Sequence, residues 1–315
     1  MSSVNSTPSH PSAFILTGIP GLEAEHIWIS LPFCGMYIIT VFGNCIVLYI
    51  IKTDRSLHHP MYYLLSMLAA TDLVLSSAVS PKMLALFWFN SREIYFESCV
   101  TQMFFIHCFS YIESGVFLAM AFDRYVAICH PLRHSVILST PVIIRIGLVI
   151  LIRGVFISIP FCYFMIRFSF CSNKVISFSY CGLGNVLKLA CVDILINTVY
   201  SATVSLLVVG FDLTFTALSY VRILRVVFRF KSTDARLKAL STCSSHVCVI
   251  LIFYILALFT YLTNTFGHNF PLNFQVIMAN LCFLVPPMFN PIVYVVKTKQ
   301  IRSQVLTKVC FNSSK

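Results

Sequence analysis

Long apolar stretches separated by short polar ones set the pattern of the chain. Seven of them, at roughly 27–51, 60–87, 99–129, 141–166, 194–221, 240–263 and 273–296, reach the ~20 residues that a helix needs to cross the hydrocarbon core of a bilayer. The pattern predicts an all-α membrane protein, a seven-transmembrane helix bundle over 27–296. It is preceded by a tail at 1–26 and followed by a segment at 297–315. In that last segment Ile301, Val305 and Val309 recur at intervals of four. This is the spacing of a short amphipathic helix lying along the membrane surface. The first 26 residues hold no Lys or Arg and no apolar run, so no cleavable signal peptide is expected and the first span should act as its own insertion signal.

Polar residues inside apolar spans change the picture, because each is costly there unless hydrated, paired or ion-bound. Asp72 lies well inside the second span and Glu113 midway along the third. The two carboxylates suggest either a site for an ion such as Na+ or a shared proton. Asp212 in the fifth span must face the bundle, with no partner evident. Glu113 and Arg124 are eleven residues apart, close to a whole number of turns, so they share a face. His107, Ser110, Tyr111 and Ser114 form a polar stripe at i, i+3, i+4 and i+7. Such a stripe either binds helices together through hydrogen bonds or forms the wall of a pocket. The rise from Cys99 to Arg124, roughly 37 Å at 1.5 Å per residue, carries the third span from one interface to the other.

The chain has 315 residues, 58% hydrophobic and 10% charged, with a net charge of +11. That is far too apolar for a soluble fold of this length. Most of the 22 Lys and Arg lie on one side of the spans. Lys52 and Arg55, then Arg124, Arg133 and Arg145, then six from Arg222 to Lys238 and five from Lys297 to Lys315 face only Arg92, Arg167, Lys174 and Lys188 opposite. Basic loops stay in the cytosol, which predicts an extracellular N-terminus and a cytoplasmic C-terminus. The positive charge is then a topology signal and an attraction to acidic membrane lipid, and calls for no nucleic acid. With this orientation Asn5-Ser6-Thr7 is a glycosylation site at Asn5. Cys99, Cys171, Cys181 and Cys191 fall on the oxidising side, where four cysteines allow three pairings.

The chemistry concentrates at Met120 to His134, MAFDRYVAICHPLRH, where Asp123, Arg124 and Tyr125 stand as a long apolar helix runs out into a basic loop. An interfacial salt bridge is the plainer reading of such a pair. The full run nevertheless resembles the third helix and second cytoplasmic loop of a rhodopsin-like G-protein-coupled receptor, specifically an odorant receptor. Three further stretches resemble the same family: His58 to Tyr62, Lys238 to Val247 after Ser219-Tyr220, and Pro286 to Tyr294 with its Asn290-Pro291-x-x-Tyr294 switch. The approach to the first span, LTGIPGLEAEHIWISLPFCGMY, resembles class I, fish-like, odorant receptors.

The resemblance implies disulfides Cys99–Cys181 and Cys171–Cys191, a ligand pocket in the outer half of the bundle and a stimulatory, olfactory-type G protein that raises cAMP. Asp123, Arg124, Tyr125, Tyr220, Asn290, Pro291 and Tyr294 are then the coupling residues. His107, Ser110, Tyr111, Ser114, Ser201, Tyr261 and Thr265 are candidates to touch a small volatile odorant. Class I receptors often take carboxylic acids through an arginine near the outer end of the sixth helix. This chain reads Asn264-Thr265-Phe266-Gly267 there, so acid and neutral odorants stay open. It also has Leu256 where relatives often place proline, which predicts a sixth helix bent less or elsewhere. No Gly-rich phosphate loop, metal-ligand spacing or water-accessible Ser/His/Asp set is present, so no enzyme is expected. A seven-span transporter or ion-coupled carrier using Asp72 and Glu113 is the rival reading. The absence of internal repeats weighs against it.

Overall fold

The computed structural model describes residues 11–191, 195–266 and 270–307, apart from the side chains of 264–266 and 299. Among these, seven helices are long and apolar enough to cross a membrane. They are α1 (His26–Thr53), α2 (Pro60–Phe89), α3 (Phe96–Cys129), α4 (Thr140–Arg167), α5 (Leu195–Val227), α6 (Thr233–Phe266) and α7 (Leu272–Lys297), followed by a short α8 (Lys299–Val305). Asn5 lies outside the described residues.

The apolar runs mark where each helix meets lipid, and the helices continue past them. The largest differences are at α5 and α6, which run on to Val227 and back to Thr233. Hydropathy loses the helix where Arg222 and Arg225 begin, but helix propensity is high for Arg and Lys, so the backbone stays helical. Only residues 228–232 are left to join the two. Helix α6 is continuous through Leu256. Proline sits at the first turn of α2, where its missing N–H costs nothing. Asn90 ends that helix in the left-handed region at φ 52°, a conformation asparagine tolerates.

Helix α3 is the axis of the bundle. Of its most apolar stretch 61% is buried by protein, against 22% for α4 and 17% for α5, whose remaining surfaces are apolar and face outward. Two apolar layers surround it. Phe14, Phe87, Met103, Phe161, Tyr180 and Leu284 belong to the one at the end where α3 begins. Leu65, Phe117, Phe253, Tyr294 and Ile301 belong to the one at the end where it finishes. Helix α8 docks by burying Ile301 and is tied by Tyr62, whose hydroxyl donates to Gln300 Oε1. Val309 lies outside the described residues.

The end where α3 begins carries a cap. A three-stranded sheet places β1 (Ala13–Leu16) between β2 (Glu93–Tyr95), antiparallel to it, and β3 (Val175–Ile176), parallel to it. Gly18 follows β1 at φ +77°, and a Cβ there would stand 2.7 Å from His26 Cε1, so the turn requires glycine. The His26 ring fills that space and its Nε2 accepts from the Ile19 amide at 3.1 Å.

Candidate functional site

Cys99 at the start of α3 is bonded to Cys181, and Cys171 to Cys191, with Cα atoms 5.4 and 5.2 Å apart. The loop between α4 and α5 is thereby drawn over the capped end. Gln102 fixes its path, donating from Nε2 to the Ala78 carbonyl at 2.8 Å and accepting from the Cys181 amide at 2.9 Å. Ser179 donates to Asn280 Oδ1 of α7 at 2.6 Å. Tyr180 inserts edge-on against Phe283, and burial raises its phenol above the ordinary range, so it stays uncharged.

Beneath the cap, the polar stripe of α3 divides into two parts. Ser114 is buried and donates to Asp212 Oδ2 at 2.6 Å, while Tyr254 of α6 stands 2.8 Å from the same Ser114 oxygen. Arg153 of α4 meets Asp212 with both terminal nitrogens, at 2.7 and 2.8 Å, and donates to the Tyr111 carbonyl at 3.0 Å. The carboxylate is completely buried, so this two-pronged pairing is what makes its charge tolerable in the bundle. Arg153 reaches it over Gly115, where a Cβ would lie 2.7 Å from its Nη2. Four helices thus converge on one charge. Tyr111 turns its hydroxyl to Ser205 of α5 at 3.1 Å.

The part of the stripe nearer the cap is less committed. His107 packs on Phe161, ring centroids 5.2 Å apart, and its Nε2 is buried without a partner. Ser110 and Ser201 are half-buried. Tyr261 is exposed on the surface of α6, and the side chain of Thr265 is outside the described set. Asn197 of α5 is fully buried with neither amide atom partnered.

Halfway along the bundle, Asn290 Nδ2 donates to both oxygens of Asp72 at 3.0 Å. Both oxygens of Glu113 are buried and unpartnered. In α7, Pro291 cannot donate to the Pro287 carbonyl. Asn44 of α1 donates to it instead, at 3.1 Å.

At the end away from the cap, Asp123 holds Arg124 at 3.3 Å and accepts from His134 Nε2 at 3.0 Å. Tyr125 shares a hydrogen bond with His130. Arg124 also lines a cavity of about 720 Å³ together with Tyr62, Met120, Lys238, His246, Tyr294 and Lys297. The hydroxyls of Tyr220 and Tyr294 are buried without partners. The sequence reading missed Arg153, Tyr254, Gln102, Asn280 and Asn197 as site residues. For Arg153 a signal existed, since opposite charges in two apolar spans seek each other.

Seven membrane-crossing helices with α3 as their axis, a disulfide-held cap and a cavity at the far end lined by the arginine of an Asp-Arg-Tyr run define a rhodopsin-like receptor, a multi-pass membrane protein. The olfactory receptor family pattern matches residues 33–312, and the chain belongs to that family. It is 52% identical over 304 residues to olfactory receptor 52R1 of Homo sapiens, covering 96% of each chain. It is 50% identical to human olfactory receptor 52B2, over 97% of this chain and 94% of that one. It is also 50% identical to human olfactory receptor 51E2, over 97% and 95%. These relatives are consistent with the class I resemblance. Membership makes the chain an odorant receptor and not an enzyme, with odorants and G proteins as its general partners.

Proposed function

We propose that the chain sits in the plasma membrane with its capped end, and a tail glycosylated at Asn5, outside. A small odorant binds beneath the cap, and the opposite cavity receives a stimulatory, olfactory-type G protein that raises cAMP. The observation that carries this reading is the Arg124 cavity, which opens among the basic ends of α6 and α7, with two unpartnered tyrosine hydroxyls available for a second arrangement. An odorant activates only by binding the arrangement with this cavity open more tightly than the closed one. Contacts to α3, α5 and α6 bear on the Asp212 network, and through α6 and Tyr294 the change reaches Arg124. Releasing Arg124 from Asp123 then frees its guanidinium for the G protein.

Two buried carboxylates facing a bundle interior suit a hard monovalent cation. Asp72, Glu113 and Asn290 would hold Na+ and stabilise the resting arrangement. Arg124→Ala tests the coupling role. Surface display should stay near wild type while ligand-dependent cAMP disappears, and an undiminished response would refute it.

A further inference from the structure

The register of α3 against α5 is fixed by the Tyr111–Ser205 hydrogen bond of 3.1 Å. Both helices run from the capped end toward the Arg124 end, so one turn nearer the cap His107 comes level with Ser201, and a further turn along α5 lies Asn197. Asn197, Ser201 and Ser205 share one face of α5 at intervals of four. The aromatic step His107, Phe161, Tyr200, with centroids 5.2 and 5.3 Å apart, joins the same level from α4. In this seam three buried polar atoms have no partner, namely His107 Nε2 and both amide atoms of Asn197. A buried polar group left unmatched costs about 1–3 kcal/mol, so the seam is stabilised by whatever supplies hydrogen bonds there.

The charges say what that is. Among the described residues, each cation on the capped half is engaged or directed outward. Arg153 is spent on Asp212. Lys82 donates to the Ser91 and Glu93 carbonyls and to Ser91 Oγ. Arg92 donates to Asn90, Arg167 lies over Tyr163, and Lys174 and Lys188 are exposed. A carboxylate moved into the seam would find the amide and the imidazole but no free guanidinium or ammonium, and burying an unpaired charge is far costlier than burying a hydroxyl or carbonyl. We infer that the α3–α5 seam takes a neutral odorant, an alcohol, ketone or ester, whose single polar group is held by His107 and Asn197 while its chain lies among Phe161, Tyr200 and Val204. This rests on the reading above that odorants bind beneath the cap.

The test is cAMP in cells displaying the receptor, challenged with matched medium-chain aliphatic acids, alcohols, ketones and methyl esters. Wild type should answer the neutral series. His107→Phe and Asn197→Leu should each raise the half-maximal concentration about three- to tenfold, with surface staining unchanged, and His107→Gln should restore much of the loss. The inference is overturned if acids act at equal or lower concentration, if both substitutions leave neutral responses unmoved, or if the neutral series is silent from displayed receptor. Basal cAMP, compared with Arg124→Ala, reads coupling without ligand. A basal signal lost in Arg124→Ala beside a silent neutral series would sink the ligand class alone, whereas neither basal nor ligand-driven cAMP would sink the coupling reading as well.

Discussion

The side-chain amide of Asn44 in α1 donates to the main-chain carbonyl of Pro287 in α7, the group that Pro291 leaves without a helical donor. The same amide also donates to its own helix at Thr40. One asparagine therefore repairs a break in a helix remote from it in sequence. Its neighbour Gly43 lets the helices approach, since a Cβ there would stand 2.9 Å from Pro291 Cγ. Substituting Asn44 with Ala should destabilise the folded receptor by about 1–3 kcal/mol, because the Pro287 carbonyl is buried. Thermal unfolding of purified receptor in detergent measures this, and an unshifted midpoint would show that the bend needs no partner.

Removing Arg153 strands the Asp212 carboxylate. Arg153→Leu alone should cost about 3–5 kcal/mol and sharply reduce surface display. Replacing both, Arg153→Leu with Asp212→Leu, should recover much of the display, because two apolar side chains need no partner. Flow cytometry on the single and double variants reads the coupling, and additive losses would deny it.

If Asp72 and Glu113 hold sodium, NaCl should raise the thermal midpoint above that in KCl at equal ionic strength. At a concentration about ten times the dissociation constant the gain is about 1.4 kcal/mol. Asp72→Asn and Glu113→Gln should each erase the difference between the two salts. A salt difference that survives both substitutions would place the ion elsewhere.

The two disulfides should differ in weight. Cys99–Cys181 closes a separation of 82 residues and Cys171–Cys191 one of 20. On chain-entropy grounds the longer closure contributes about 1 kcal/mol more. The Cys99→Ser variant should therefore lose more surface display than Cys171→Ser. Equal losses would mean that the loop's hydrogen bonds to Gln102 and Asn280, and not chain closure, set its stability.

The seven spans were legible because a bilayer imposes one length and one polarity on every crossing, and the hydropathy of α1 to α7 records both. Where α5 and α6 outrun the membrane, polarity and helicity part company and the record fails. The Arg124 cluster was legible as a run of adjacent residues. Asp212 was read as needing a company it could not name, because Arg153, Ser114 and Tyr254 come from three other helices and only packing brings them together. Gln102 and Asn280 carry no local mark either. Each is one amide in an apolar helix, given its meaning by a carbonyl of another helix or by a loop amide or hydroxyl distant in sequence. The orphaned atoms of Asn197 became visible only once its neighbours were placed.

The middle position of β1 has a consequence for how the receptor is made. Its residues are made before either partner strand, and one flank waits for β2 and the other for β3, which follows four long helices in the chain. Until Ile176 has been made, Phe14 and Leu16 have no complete sheet to enter. The strand is thus made before either neighbour and completed only after α4, so closure of the cap is a late event in the folding of the chain.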